Sequence, residues 1–432
     1  MRVLIVGASG FIGGRLVRRF AAAGHQVVAA ARDPSSLDRF IPGLTLLPVD
    51  LRRDGEAEWR TRLAGIDLVI NAAGVIDNRS ANPMEAVHAS GPASLFAACL
   101  QVGVPRVIQI SALGADPEGT TCYFRSKGSA DAVLSGLDPT RERLEWIIVR
   151  PSVVVGRGGG SHELFTGLAA WPLLPRLGPG CWQMQPVHVL DLVELIHDLA
   201  TTRERTLPRI DAIGPEPVTT DALTSLLRQW LGLTGGRFIP VPVGMLRLAG
   251  WLGDHLPLGP LNREALAMLM QGNTIAREKA SLPEGWMPRT IPVALLAEPA
   301  TSGDLWQARL SPMKHLLRGI LGCFWIASGL IPMVMEASRQ EGYALLARTG
   351  LTDGWTTVAL YGAGLLDLLL GVMLLTGKRS RLIGGLGIGA TLMFTGIILV
   401  FMPEFAWHPF GPLTKNLPLV AAMLILMILE EK

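Results

Sequence analysis

The first residues of the chain join a short β-branched run to a glycine-rich loop and an amphipathic segment. RVLIV is typical of a buried parallel strand, and it leads into GASGFIGG, where Gly7, Gly10 and Gly13 have the spacing G-x-x-G-x-x-G. Apolar residues then recur with a helical period until Gly24. Glycines placed in this way let the backbone turn tightly and approach a pyrophosphate at the positive end of the helix. This combination of strand, loop and helix predicts a dinucleotide-binding site.

The end of the second predicted strand, in HQVVAAARDP, indicates which dinucleotide binds. An acidic side chain there binds a ribose hydroxyl group, whereas an arginine holds a 2′-phosphate. Ala31 stands at the acidic position and Arg32 follows it. Asp33 has a simpler explanation, because it precedes Pro34 and fits a helix N-cap followed by proline. The sequence therefore favours NADP(H) over NAD(H), and the alternative is that Arg32 is a solvated surface charge.

Strand-like and helix-like segments alternate through the next part of the chain. TLLPVDL, DLVINAAGV, RVIQIS and LEWIIVRPS are the further predicted strands, which gives an α/β fold with a doubly wound parallel sheet. Asp50 ends the first of these segments and is expected to contact the adenine. The small residues that follow Asn71 leave room for a cofactor.

Composition argues against nucleic-acid binding and predicts a membrane part. The net charge is only +3, hydrophobic residues make up 49% of the chain, and charged residues make up 17%. Most of the apolar excess follows Leu316. The four cysteines are scattered without metal-ligand spacing, and we expect them to be reduced. Because Met1 leads directly into a predicted strand, we expect no signal peptide.

CYFRSKG, at residues 122–128, places Tyr123 and Lys127 four residues apart on one face of a helix. With GASGFIGG, NAAG, RPSVVVGRGG and PVHVLDL, this pair resembles the extended or atypical short-chain dehydrogenases/reductases, over about residues 1–230. ISALGAD and YFRSK are similar to the atypical branch that includes the NADPH-binding accessory subunit of respiratory complex I.

The resemblance implies a set of roles for residues of this chain. In active members the tyrosine is the general acid/base, the lysine holds the nicotinamide ribose and lowers the tyrosine pKa, and a serine polarises the substrate oxygen. The corresponding catalytic residues are Tyr123, Lys127 and Ser111. The expected cofactor-binding residues are Gly7, Ser9, Gly10, Phe11, Ile12, Gly13, Arg32, Asp50, Leu51, Asn71, Ala72, Ala73, Gly74, Lys127 and Pro151.

The chain departs from the family pattern at the catalytic serine. The strand ends Ser111-Ala112-Leu113, so an alanine stands at the catalytic position if the register puts that serine at 112. Ser111 substitutes for it only if the backbone shifts, and Thr120 and Thr121 are weaker candidates. Three interpretations compete. In the first, the protein is an active reductase or dehydrogenase. In the second, it is a cofactor-binding module without turnover. In the third, Tyr123 and Lys127 belong to an ordinary helix face without a functional role.

Two further positions carry sequence-based expectations. His88, in VHASGPASLF, stands where the family has an asparagine, with Ser90 nearby. Asp191 is predicted to cap the helix LVELIHDLA, and His188 is expected to serve structure.

The last part of the chain contains four apolar segments, which predict membrane spans near residues 316–335, 355–376, 381–402 and 413–429. The four-span plan and HPFGPLTKNLP resemble the DoxX-like domain. Lys378, Arg379 and Arg381 between spans two and three place that loop, the N-terminal domain and the C-terminus on the cytoplasmic side of an inner membrane.

Asp367 lies in the middle of the second predicted span, where an ionisable group usually has a partner. The expected partners are Tyr361, Thr391, Thr395 or a lysine of another span. A proton, quinone or ligand site inside the bundle and a polar link between helices are the two interpretations.

Together these features predict a nucleotide-binding domain at residues 1–230, a substrate-side lobe and linker at 231–305, and a membrane domain at 306–432. We expect a membrane-anchored, NADP(H)-binding protein that acts on a small-molecule or lipid-like substrate, such as an apolar carbonyl or quinone. It would contact membrane lipid and a possible membrane-protein partner. A non-catalytic assembly or redox-sensing module is the alternative.

Overall fold

The computed structural model describes residues 1–37, 41, 43–76, 83–255, 261–407 and 413–430. Within these ranges the strands are β1 Arg2–Val6, β2 Gln26–Ala31, β3 Leu44–Pro48, β4 Leu68–Asn71, β5 Arg106–Ile110, β6 Glu145–Pro151, β7 Val154–Val155, β8 Leu173–Leu177, β9 Gln183–Met184, β10 Val187–His188, β11 Arg209–Ala212, β12 Val218–Thr219 and β13 Arg237–Val241. The α-helices are α1 Phe11–Ala22, α2 Glu56–Arg62, α3 Gly91–Val102, α4 Cys122–Leu137, α5 Gly160–Ala169, α6 Val189–Thr201, α7 Thr220–Trp230, α8 Val243–His255, α9 Arg263–Gln271, α10 Ile291–Ala297, α11 Ser302–Val334, α12 Glu336–Ala347, α13 Asp353–Thr376, α14 Ser380–Phe401 and α15 Asn416–Leu429. Short 3₁₀ turns lie at Pro34–Ser36, Arg277–Lys279 and Pro403–Trp407, and a π turn lies at Ala86–Ser90.

A seven-stranded parallel sheet forms the centre of the described N-terminal region, in the order β11-β6-β5-β4-β1-β2-β3. Val3 and Ile5 of β1 pack on one face with α1 and α6. Leu4 and Val6 pack on the other face with α2, α3 and α4. Helices on both faces explain why the strands are continuously apolar. The predicted doubly wound α/β fold is confirmed, and β11 adds a strand that the sequence did not predict.

The order of strands reverses at β1, which pairs with β2 on one side and with β4 on the other. Open α/β sheets bind ligands at such a reversal, outside the carboxyl ends of the strands. The glycine loop follows β1 and the Asn71–Gly74 segment follows β4. Both predicted cofactor segments therefore lie at the reversal point.

The region after β6 contains small strand pairs, β7 with β10, β8 with β13 and β9 with β12, and the helices α7 to α10. Helices α7 and α9 of this region are amphipathic and bury their apolar residues on one side. The N-cap prediction for Asp191 was wrong, because α6 begins earlier and His188 caps it by accepting a hydrogen bond from the Leu190 amide. Asp191 instead binds Arg289, at 2.7 Å between Oδ1 and Nε.

The chain forms two compact units. The first contains Met1–Asp254 and the described residues from 261 to 305, and the second contains His255 and the described residues from 306 onward. The finer division between residues 230 and 231 stays a prediction.

Three helices of the described chain, α11, α13 and α14, have the length and apolar composition needed to cross a membrane. The fourth predicted span is α15, an apolar helix of 14 residues that is shorter than the others. The first predicted span is part of a longer helix, since α11 begins at Ser302 and contains Pro312 and Pro332. Residues 408–412 of the HPFGPLTKNLP segment lie outside the described residues.

Helices α11 and α13 approach closely through glycines. A Cβ on Gly329 would lie 2.4 Å from the Gly364 carbonyl oxygen, so both helices need small residues there. Asp367 of α13 is buried beside Ser328 of α11. The expected partners Thr391 and Thr395 donate to carbonyl groups of their own helix instead.

Candidate functional site

The glycine loop brings the end of β1 against the end of β4. Gly7 has a φ of +80°, and a Cβ there would lie 2.7 Å from the Ala73 nitrogen. A Cβ on Gly13 would lie 2.1 Å from the Gly7 carbonyl oxygen. Because each added atom would collide with backbone, both positions require glycine. The Gly7 and Ala8 amides donate to the Ala30 carbonyl at 2.9 and 3.1 Å and tie the loop to β2.

Helix α1 begins beside this loop without a side-chain cap. Gly10 is its N-cap, and its first turn holds no acidic residue. The amide groups of a first helical turn lack helical acceptors and favour phosphate oxygens. A cavity of about 210 Å³ adjoins the loop, and its lining includes Ser9, Gly10, Phe11, Arg15 and Arg18. The glycine cradle, the uncapped turn that also contains Ile12, and the basic lining all fit a dinucleotide pyrophosphate.

The residues expected near the adenosine follow β2 and β3. Arg32 is exposed directly after β2. The predicted cap at Asp33 is confirmed, since its side chain accepts from the Ser35 amide at 2.9 Å. Arg52 holds both Asp50 carboxylate oxygens, at 2.8 and 2.6 Å, and these hydrogen bonds lower the Asp50 pKa to about 2. The adenine contacts of Asp50 and the buried Leu51 stay predictions.

Asn71, at the end of β4, is fully buried and shapes the segment that follows it. Its Nδ2 donates to Gln109 Oε1 at 2.7 Å, and its Oδ1 accepts from the Ala73 amide at 3.2 Å. The side chain therefore orients Ala72 and Ala73. Gly74 comes next, where a Cβ would lie 3.4 Å from Lys127 Nζ. This segment forms a wall between the glycine loop and α4.

Tyr123 and Lys127 lie in the first two turns of α4, as the spacing predicted. Lys127 is buried, and its Nζ donates to the Ala73 and Ile110 carbonyl oxygens at 3.1 and 3.0 Å. Burial lowers the pKa of Lys127 to about 8, while Asp131 acts in the opposite direction. Burial raises the pKa of Tyr123 to about 12, so its phenol is protonated at neutral pH. The ammonium group thus lies between the carboxyl ends of β4 and β5.

His88 supports the Tyr123 ring, edge to face, at 5.4 Å between ring centres. The Val75 amide donates to His88 Nε2 at 2.8 Å, which puts the imidazole proton on Nδ1. Nδ1 then donates to Ser126 Oγ at 2.9 Å, and Ser126 donates to the Tyr123 carbonyl at 3.0 Å. Burial, with Lys127 adding to it, holds the pKa of His88 well below its ordinary value. His88 is therefore a neutral, rigid neighbour of the tyrosine.

The Ser111 hydroxyl forms its hydrogen bond with Asp131. Its Oγ donates to Asp131 Oδ2 at 2.8 Å, and the same oxygen accepts from Arg150 Nη2 at 2.9 Å. Asp131 is 1% exposed, and burial raises its pKa. Ala112 follows, and the Leu113 amide donates to the Pro151 carbonyl at 2.8 Å. The Ser111 hydroxyl thus satisfies a buried carboxylate one helical turn beyond Lys127.

We expect Ser111→Ala to destabilise the first unit by about 1 kcal/mol, because Asp131 loses one of its donors. Cofactor affinity should stay within about twofold, since the hydroxyl bonds Asp131 rather than the predicted cofactor contacts. Thermal unfolding and nucleotide titration measure both effects. Ser129→Ala is the matched control, since the Ser129 hydroxyl donates only to the Arg125 carbonyl of its own helix among the contacts of the described chain. An unchanged unfolding midpoint with lost nucleotide binding would contradict this expectation.

Helix α9 lies over the start of α4. Glu264 accepts from the Cys122 and Tyr123 amides at 3.3 and 3.4 Å, and Gln271 accepts from Thr120 Oγ1 at 2.7 Å. Asn262 donates to the Ile76 carbonyl at 2.9 Å. These contacts have no local sequence signal, because they join segments more than 100 residues apart. They place α9 against the start of α4, next to Tyr123.

Family models match both parts of the chain. Residues 7–166 match the NAD(P)H-binding family, and residues 322–424 match the DoxX-like family. The chain joins an NAD(P)-binding, epimerase-like short-chain dehydrogenase/reductase domain to a DoxX-like domain. The predicted resemblance is thereby confirmed. The DoxX-like domain and the three apolar helices indicate association with a membrane.

Curated relatives share the first of these domains. The mitochondrial NADH dehydrogenase (ubiquinone) 1 alpha subcomplex subunit 9 of Arabidopsis thaliana is 27% identical over 52% of this chain and 58% of its own length. The chain thus spans less than two thirds of that relative. The Bos taurus epimerase family protein SDR39U1 is 29% identical over 64% of this chain and 91% of its own length.

A solved structure supports the fold of this domain. MoeE5 in complex with UDP-glucose and NAD superposes with a TM-score of 0.51 at 19% identity, over 72% of this chain and 99% of that one. At this identity the likeness shows the fold of the chain and leaves its substrate open.

Proposed function

We propose that the chain is a membrane-anchored oxidoreductase that binds NADP(H) and acts on an apolar carbonyl or quinone-like substrate. The observation that carries the proposal is the placement of Lys127 Nζ beside Gly74, one turn of α4 after Tyr123, at the point where the strand order reverses. Lys127 reaches the segment that packs against the glycine loop, through its hydrogen bond to the Ala73 carbonyl oxygen, and Tyr123 precedes it on the same helix. This is the arrangement that hydride-transfer chemistry requires.

The residues divide the chemistry as follows. The bound dinucleotide supplies or accepts the hydride. In the reductive direction the Tyr123 phenol donates its proton to the substrate oxygen, and solvent restores that proton. Lys127 would hold a ribose hydroxyl of the bound cofactor, and its charge would stabilise the phenolate that forms. His88 keeps the tyrosine ring in place, and Glu264 fixes the backbone at the start of α4.

NADP(H) is the proposed cofactor because Arg32, and not an acidic residue, follows β2. We expect Arg32→Ala to weaken NADPH binding by about 10- to 100-fold and NADH binding by less than about twofold, since only NADPH carries the 2′-phosphate. Titration of both nucleotides, followed by fluorescence, measures this difference. Arg60→Ala, an exposed arginine on α2, is the matched control. Equal losses for the two nucleotides would overturn the assignment of Arg32.

The alternative is a cofactor-binding module without turnover. Its support is the Ser111–Asp131 hydrogen bond together with Ala112, which leaves the site without the serine that polarises a substrate. Relatives named as NADH dehydrogenase subunits are compatible with an assembly role and a membrane-protein partner.

The experiment that separates the two uses the full chain in lipid nanodiscs. Nucleotide binding is titrated first, and NADPH consumption is then followed with a panel of quinones and aldehydes. Consumption that depends on Tyr123 supports the oxidoreductase. Tight binding without consumption across the panel favours the module, and absence of binding overturns both. Placement of the first unit and the C-terminus on the cytoplasmic side of an inner membrane is also proposed, from the basic residues at 378–381.

A further inference from the structure

Helix α8 exposes an apolar face on the first unit. Met245, Leu248 and Trp251 are 61%, 58% and 47% exposed, and they recur every three residues along one side of the helix. We call these three residues the α8 apolar face. The opposite side of the helix buries Leu246, Gly250 and Gly253. The helix is therefore packed on one side while it presents large apolar groups on the other.

Exposed apolar faces mark sites of interaction with proteins or membranes, and a helix with one apolar side is typical of a membrane interface. Tryptophan and methionine suit the boundary between headgroups and acyl chains, and the exposed Arg247 at the side of the face suits anionic headgroups. The same chain carries three helices with the composition of membrane spans. That attachment keeps the first unit close to lipid, so even a short apolar face meets the bilayer at high effective concentration.

We propose that α8 lies in the lipid–water interface, with the α8 apolar face in the acyl boundary. The packing of α8 connects this surface to the site. A Cβ on Gly253 would lie 2.1 Å from the Leu261 carbonyl oxygen, and Asp254 forms an ion pair with Arg263 at the start of α9. Helix α9 in turn contacts α4 at Tyr123 through Glu264.

The consequence for the substrate rests on the proposed function. With α8 in the interface, α9 and the start of α4 lie close to the acyl boundary. A carbonyl compound or quinone with a long apolar tail then reaches Tyr123 from the lipid without crossing water. Its tail stays in the bilayer while its polar head reaches Tyr123.

The test uses the full-length protein in nanodiscs that hold a single copy. A nitroxide is attached at Leu248→Cys and, separately, at Met245→Cys, after Cys122, Cys181 and Cys323 are replaced. Collisions with oxygen, which enters lipid, and with a water-soluble nickel chelate are measured by power saturation. Val133→Cys, on α4, is the matched control, because Val133 is also an exposed apolar residue, at 38%.

We expect the α8 labels to collide at least about fivefold more with oxygen than with the nickel chelate, and the Val133 label to show the reverse preference. Nickel accessibility equal to that of Val133 overturns the proposal, since the face is then in water. Protection from both reagents also overturns it, because protein then covers the face. Protection that appears only in discs with two copies assigns the face to a second copy of the chain.

The catalytic consequence has a separate readout. The pair of substitutions Met245→Glu and Leu248→Glu is expected to raise KM at least about tenfold for a long-tailed quinone and to leave it unchanged for a water-soluble analogue. Equal KM effects on both would overturn the lipid-entry route. If no variant consumes NADPH, the oxidoreductase proposal fails, while the nitroxide measurement still decides where α8 lies.

Discussion

Tyr123→Phe in the full-length, lipid-reconstituted protein is expected to lower NADPH-dependent turnover by about 10²- to 10⁴-fold, the usual contribution of a positioned general acid. The substitution removes only the hydroxyl group. The ring keeps its edge-to-face contact with His88, and Lys127 keeps its two carbonyl acceptors. Cofactor affinity should therefore stay within about twofold, and stability should change by less than about 1 kcal/mol.

Initial rates of NADPH consumption and nucleotide titration measure the two quantities on the same preparation. Tyr343→Phe is the matched control, since Tyr343 lies on α12, outside the nucleotide-binding unit. Turnover that survives Tyr123→Phe would remove the tyrosine from the mechanism and turn attention to another proton donor. A parallel loss of cofactor affinity would mean that the phenol serves binding.

The sheet was predictable because its strands are short apolar runs and its first turn carries three spaced glycines. Both are local signals, and the parallel order follows from the alternation with helices. The start of α4 was also predictable, since a four-residue spacing puts Tyr123 and Lys127 on one face of any helix. Strand β11 was missed because Arg209–Ala212 is short and carries charged residues.

The contacts around Tyr123 and Lys127 could not be predicted from the sequence. The hydrogen bond from Ser111 to Asp131 depends on how β5 and α4 pack, and residue types alone do not determine which partner the Ser111 hydroxyl faces. The sequence indicated His88 only as a substitute for an asparagine. Its tautomer could not be predicted, because it is set by the Val75 amide, a backbone group with no sequence signature. Asp191 is no cap because α6 begins at Val189, and its carboxylate instead binds Arg289, 98 residues later.

Gly13→Ala is expected to reduce the affinity for either nucleotide by at least about 100-fold and to destabilise the first unit by about 1–3 kcal/mol, the usual cost of overpacking. The added Cβ would lie 2.1 Å from the Gly7 oxygen and 2.8 Å from its carbonyl carbon. That contact forces α1 away from the glycine loop, and the amides of the first turn then lose their alignment with the phosphates. Nucleotide titration and thermal unfolding measure the two effects.

Gly14→Ala is a sharp control because it adds the same methyl group one residue later in the same helix. Its Cβ would lie 3.4 Å from the Ala8 oxygen, an ordinary contact. Alanine is also preferred to glycine inside a helix, so this variant should be neutral or more stable by up to about 1 kcal/mol. Loss of binding in Gly13→Ala but not in Gly14→Ala would assign the nucleotide to the loop at β1. Full binding by both variants would remove the glycine loop from the cofactor site and, with it, the reason to place a hydride beside Tyr123.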